Sequence, residues 1–228
     1  MSTKKEETKK KETKKSAMEE LLGPSLLTSV NTAKPTDEVL KDKPLVAVYF
    51  SAAWCPPCKG FTPILIDFYK QHSKDIEIVY VSSDHSSEEF AGYFGSMPWV
   101  AHPIDKASAL LKQEFANKVR IKGIPTLIVL ETKTGNFITD VARDQVTNAM
   151  QGKTSRTSSD LIENWKQTEA VSLDEAQLML TGGRGPMTVM GFFALLLKNP
   201  MYVIALVYFA KKLFLFLAAM GKKGDGEL

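Results

Sequence analysis

The chain has 228 residues, 44% of them hydrophobic, with a formal net charge of +3. That length suits one compact domain with appendages, and the apolar fraction is enough to build a core. Residues 1–15 carry +4 and residues 184–228 another +4, which leaves residues 16–183 at −5 and argues against nucleic-acid binding, since a nucleic-acid binder carries its basic footprint on the folded domain.

Residues 1–16 form a Lys/Glu/Thr-rich arm with no apolar side chain between Thr3 and Ser16, so disorder is expected there. The arm has neither the apolar core of a secretory signal nor the Arg-rich make-up of a mitochondrial presequence. Residues 17–168 are read as the folded domain. Leu45–Ala52 is a short apolar run that reads as a buried central strand. Pro57 to His72 reads as a helix, with Phe61, Leu65, Phe68 and Tyr69 at helical spacing. Ile76–Ser82 is a second buried strand. Ser87–Gly95 is a helix, with Ser86 as N-cap and Glu89 closing a capping box. Ala107–Asn117 is another, with Leu110, Leu111 and Phe115 on one face. Thr126–Leu130 is a third strand, Gly135 turns the chain, and Phe137–Val141 returns as a fourth. Ser159–Thr168 closes the domain as a helix. Strands alternating with helices predict an α/β fold whose sheet is mostly parallel and covered on both faces. The late hairpin adds an antiparallel strand at one edge, which makes a central mixed sheet.

Residues 169–186 are polar and then Gly/Arg/Pro-rich, and read as a linker. Residues 187–220 are read as a C-terminal hydrophobic helix and membrane anchor, followed by a polar tail at 221–228. Gly191–Ala210 has the length needed to span a bilayer. Lys198 near its middle costs on the order of 3 kcal/mol unless it snorkels. An interfacial helix and a core helix are the rival readings. A single anchor here would leave the folded domain facing the cytosol, on the mitochondrial outer membrane or, alternatively, the endoplasmic reticulum.

The chain has only two cysteines, Cys55 and Cys58. They stand in Trp54-Cys55-Pro56-Pro57-Cys58, directly after the first buried strand and directly before a helix. A cysteine at a helix N-terminus meets free backbone N–H groups and the positive end of the helix dipole. Both favour the thiolate, which makes Cys55 the attacking nucleophile and Cys58, one turn further in, the resolving thiol. Pro56 and Pro57 suit a first turn because they leave no donor orphaned. The competing readings are half a zinc site and an inert disulfide. Zinc needs four ligands, and His72, His85 and His102 have no paired spacing. No metal and no bound cofactor are expected, and the redox group is the cysteine pair itself.

Further motifs are Tyr49-Phe50-Ser51-Ala52-Ala53, Gly60-Phe61-Thr62-Pro63, Val81-Ser82-Ser83-Asp84, Met97-Pro98-Trp99 and GIPTLIVL at 123–130. With WCPPC they resemble the tryparedoxin and nucleoredoxin branch of the thioredoxin superfamily, over roughly residues 20–150. The resemblance implies a thioredoxin-like fold in which Pro125 is cis and lies beside the dithiol. It implies a protein-disulfide reductase, reduced by trypanothione and passing electrons to peroxiredoxins or other protein disulfides. It also implies that Trp54 shields the dithiol, that Ile124 and Pro125 shape the docking surface, and that Arg143 contacts anionic parts of the donor. Tyr49 stands where thioredoxins have a buried Asp. Lys59 stands where the family has Arg, and lysine cannot form the bidentate fork. Ser82-Ser83-Asp84-His85 is closer to nucleoredoxin, so the alternative is a redox regulator of one partner, reduced by thioredoxin reductase. A tether on a redox-dead fold is a third reading, opposed by the intact CPPC. Asp84 is read as a proton relay to Cys58 or an N-cap, His72 as a solvated cap, His85 as a surface residue, and Met97 and Trp99 as packing.

Overall fold

The computed structural model describes residues 15–104, 106–119, 121 and 123–180, omitting the side chains of 106–110, 112 and 116. The 187–220 anchor reading, the 221–228 tail and most of the N-terminal arm lie outside the described residues. Among the described residues no helix is long and apolar enough to cross a membrane.

The elements follow in the order α1 (Ala17–Leu22), β1 (Ser25–Ser29), β2 (Thr32–Pro35), α2 (Thr36–Leu40), β3 (Leu45–Ser51), α3 (Pro56–His72), β4 (Ile76–Ser82), α4 (Ser87–Phe94), β5 (Val100–Ala101), α5 (Lys106–Val119), β6 (Thr126–Glu131), β7 (Phe137–Thr139), α6 (Ala142–Met150), α7 (Ser158–Gln167) and α8 (Leu173–Leu180). One sheet runs β2-β1-β5-β4-β3-β6-β7. β3, β4 and β5 are mutually parallel, while β1–β2, β1–β5, β3–β6 and β6–β7 pair antiparallel. The sheet is therefore mixed, as expected, but its antiparallel pairings outnumber the parallel ones instead of being confined to one edge. The residue pattern could not show this, because a strand buried on both faces reads the same in either direction.

Every residue of β3 and β4 is buried. Alternation divides them between two cores. Leu45, Ala47 and Tyr49 face Phe61, Leu65 and Phe68 of α3 and Trp165 of α7. Val46, Val48 and Phe50 face Leu22 of α1, Leu111 and Phe115 of α5, and Ala176 of α8. Trp99 and Met97 pack in the first core, with the Trp99 ring edge-on to Tyr49 and Tyr69.

Other differences have local causes. Residues 169–180, read as linker, belong to the fold: Val171 pairs with Phe137, and α8 buries Ala176. Ser86 caps α4 through the Glu89 N–H, but the Glu89 carboxylate takes the His85 N–H instead of closing a box on Ser86. His72 is not a solvated cap. It is buried against Phe68, its Nε2 has no partner among the described residues, and burial lowers its pKa.

Glu77, inside β4, is 5% exposed. It accepts from Tyr69 Oη at 2.8 Å and from its neighbour Ile78 N–H at 3.1 Å, with Lys43 Nζ 3.6 Å away. Burial outweighs these partners and raises its pKa. A carboxyl that binds its proton more tightly folded than unfolded stabilises the fold in acid, and that contribution is lost as pH rises. Glu77→Gln keeps an acceptor for Tyr69 but cannot ionise. Urea midpoints measured from about pH 4 to about pH 7 should fall less steeply with pH in the variant. An unchanged slope would refute the assignment. His72 titrates in the opposite sense in both proteins, so the comparison isolates Glu77.

Candidate active site

β3 ends at Ser51, and α3 starts at Pro56. Prolines fill the first two helical positions, so the Cys58 N–H is the first free donor of the helix. Cys55 Sγ accepts it at 3.3 Å, which makes the cysteine the helix cap. Cys55 and Cys58 are joined as a disulfide. Cys55 is 4% exposed and Cys58 fully buried, which fits an outer attacking and an inner resolving sulfur. The Ile124–Pro125 peptide is cis, as the resemblance implies. The Ile124 carbonyl oxygen lies 3.8 Å from Cys55 Sγ, and Ile124 packs with Ala52 over the sulfur pair.

Four hydroxyls gather beside Cys58. Thr62 Oγ1 donates to the Cys58 carbonyl at 3.0 Å, and the Tyr49 and Tyr93 hydroxyls meet Thr62 Oγ1 at 2.9 and 2.6 Å. Ser51 Oγ donates to Tyr49 Oη at 3.0 Å. Because Thr62 donates to a carbonyl, both tyrosines must donate to Thr62. Each of the four hydroxyls thus donates once, and the cluster is neutral. Burial pushes the Tyr49 pKa far up, so it stays protonated. Sequence reasoning assigned Tyr49 here but missed Thr62, Ser51 and Tyr93. Thr62 was legible one turn after Cys58, whereas Tyr93 arrives from α4 with no local signal.

Asp84 makes no hydrogen bond to Cys58 among the described residues, and the cap of α4 is Ser86. Its Oδ1 accepts the Ala53 N–H at 2.6 Å, and its Oδ2 accepts the Tyr80 and Ser82 hydroxyls, each at 2.6 Å. Both oxygens are committed inside the protein, where they fix the loop that enters WCPPC. Trp54 is 47% exposed, donates from Nε1 to the Ser83 carbonyl at 2.9 Å, and stacks on His85. Pro56, Pro57 and Lys59 are exposed on the first turn of α3. Arg143 lies in the first turn of α6, where Nη2 and Nε meet the Asp144 carboxylate at 2.7 and 2.9 Å. Among the described residues no His, Cys, Asp and Glu grouping could hold a metal.

The thioredoxin-like family model matches residues 43–137. A tryparedoxin of Trypanosoma brucei brucei is 44% identical over 103 residues, 44% of this chain and 70% of that protein. The chain belongs to the tryparedoxin and nucleoredoxin branch of the thioredoxin-like family. A nucleoredoxin of Danio rerio is 40% identical over 121 residues, 52% of this chain but 28% of that longer protein. A solved tryparedoxin II, complexed with glutathionylspermidine, is 36% identical, with a TM-score of 0.54, across 61% of this chain and 97% of that one. This chain is thus a thioredoxin-like oxidoreductase of tryparedoxin and nucleoredoxin type.

Asp84→Ala leaves the Ala53 N–H and the buried Tyr80 hydroxyl without their acceptor. An unsatisfied buried group costs about 1–3 kcal/mol, so chemical denaturation should show a loss of about 2 kcal/mol or more. A smaller loss would mean that water replaces the carboxylate.

Proposed function

We propose that this protein reduces protein disulfides through Cys55 and Cys58, with trypanothione as electron donor and peroxiredoxin-type disulfides as acceptors. The observation that carries this reading is the placement of the pair: Cys55 Sγ caps α3 while Cys58 lies buried one turn inward. In the reduced protein the Cys58 N–H and the helix dipole favour the Cys55 thiolate over its thiol. The thiolate attacks an acceptor disulfide, forming a mixed disulfide and expelling one acceptor thiolate. Cys58, deprotonated, then attacks Cys55 Sγ and expels the second. The acceptor leaves with two electrons and two protons, and Cys55–Cys58 is left oxidised. A dithiol donor reverses both steps and departs as its own disulfide. The cis Ile124–Pro125 segment, with Ile124 half-buried beside Cys55 and Pro125 buried, offers backbone for pairing with an extended acceptor chain.

The glutathionylspermidine complex of the related tryparedoxin II supports a glutathione–spermidine donor. Lys59, Arg143 and Trp54 are the residues proposed to meet it. One observation favours a second reading, in which thioredoxin reductase is the donor and a single partner is regulated: Lys59 offers a point charge where bidentate recognition needs a guanidinium. The apolar runs of 187–220 support a further proposal, that the protein is held on a membrane by its C-terminus with the catalytic domain facing the cytosol. The mitochondrial outer membrane is the favoured site.

Disulfide reduction by the full chain should be fast with trypanothione and fall to background in Cys55→Ser. Cys58→Ser should instead accumulate a mixed disulfide with the acceptor. Turnover with thioredoxin reductase alone would move the protein to the second reading, and no Cys55-dependent turnover with either donor would end the enzyme proposal. In cell fractions, the full chain should resist alkaline carbonate extraction, and a chain ending at Leu180 should not. Equal release of both would remove the anchor.

A further inference from the structure

The stack of His85 on Trp54 has no part in the steps above. Its ring centroids lie 5.2 Å apart, with planes inclined by 16°. Trp54 adjoins Cys55 in sequence and is 47% exposed, so little packing fixes its indole. The hydrogen bond from Nε1 to the Ser83 carbonyl holds one edge of the ring, and the imidazole covers one face. His85 itself is presented by a braced loop. Its N–H is bound by Glu89 Oε2 at 3.0 Å, and the preceding residue, Asp84, is fixed by Ser82, Tyr80 and Ala53.

Histidine is the side chain that gains a full charge within the physiological pH range. An indole face attracts a cation placed over it. The carboxylates on the histidine's own loop and helix are Asp84, Glu88 and Glu89, while the facing segment carries Lys59, Cys55 and Cys58. Asp84 is turned inward to Ala53, and Glu89 is turned to the His85 backbone. Glu88 is held below the usual carboxylate range by a backbone hydrogen bond at the start of α4 and by Ser86, so it remains ionised. The indole lies on the face of the imidazole.

We propose that His85 is a positioning residue for Trp54. The imidazole stacked on the indole grips that ring beside the dithiol, and a cationic ring grips it more strongly than a neutral one. The consequence for thiol chemistry rests on the oxidoreductase reading, but the stack itself does not.

Two measurements on the full-length protein test this. Tryptophan emission of the oxidised form is followed from about pH 5 to about pH 8. Trp99 and Trp165 are buried, at 2% and 1% exposure, so the exposed Trp54 should report the change. A pH-dependent change of emission is expected in the natural protein. It should be absent in Trp54→Phe and in His85→Phe, which keeps a ring on the indole but cannot titrate. The rate of reduction by dithiothreitol is then compared between His85→Phe and the natural protein. The ratio should be near unity at the alkaline end and rise about two- to five-fold at the acid end, the range expected for an exposed cation–π contact. An emission transition that survives His85→Phe, or is missing from the natural protein, overturns the proposal, as does a rate ratio that does not vary with pH. A protein that reduces no acceptor disulfide but keeps the emission transition and the dithiothreitol ratio would refute the oxidoreductase reading and leave the positioning intact.

Discussion

The hydrogen bond from the Cys58 N–H to Cys55 Sγ is where the fold and the chemistry meet. A helix N-terminus requires acceptors for its free N–H groups, and Ser, Thr, Asp or Asn ordinarily supply them. Here two prolines remove the earlier donors, and a sulfur answers the first that remains. A thiolate is a better acceptor than a thiol, so on the proposed function the need that α3 has for a cap would become, in the reduced protein, a preference for ionised Cys55. The preference exists only while α3 is held in place. That is secured by Phe61, Leu65 and Phe68, which pack on the β3 face carrying Leu45, Ala47 and Tyr49. Core burial and nucleophile activation are two consequences of one helix position.

The surroundings of Cys58 follow a different logic. A buried carboxylate there would place a second negative charge near the dithiol and raise the thiol pKa values through like-charge repulsion. Tyr49, Ser51, Thr62 and Tyr93 form a neutral network instead, each donor with an acceptor. Such a network tolerates burial because nothing in it is charged or unsatisfied. The carboxylate that lies near the motif, Asp84, binds the backbone at Ala53 and thereby sets where the loop enters α3. Its effect on the dithiol is geometric.

Much of this was legible from the residues. Buried runs gave β3, β4 and β6, helical spacing gave α3 and α7, and the WCPPC context located the dithiol. Three of the missed elements share a physical character. β2 is exposed along its whole length, so no apolar alternation marks it. α6 buries only Ala142 and Val146, and its N-cap position, Val141, has no capping side chain. α8 fully buries only the small Ala176, with Leu173 and Leu180 partly buried beside it, so no large buried residue marks the segment that read as linker. At the site, local signals found what one segment supplies, namely the cysteines, the prolines and Trp54. They did not find partners brought from elsewhere in the chain, such as Tyr93 from α4, the Ser83 carbonyl, or the turn of Asp84 toward Ala53.

That division also bears on which donor the protein accepts. The dithiol, the cis-proline segment and the hydroxyl network are buried or half-buried, and their chemistry serves any disulfide partner that reaches Cys55. Under the proposed function, selection would fall to exposed residues such as Trp54, Lys59, His85 and Arg143. Three of these carry or can gain positive charge, and exposed charges act over roughly 8–10 Å before salt screens them at physiological strength. On that proposal they would discriminate between donors chiefly by the donors' carboxylates and amines, through encounter and orientation. The energetics of exchange remain with the helix cap. Family members could thus keep one dithiol architecture and change reductant through a few surface residues, and Lys59 and His85 are the two of these at which this chain departs from the tryparedoxin pattern.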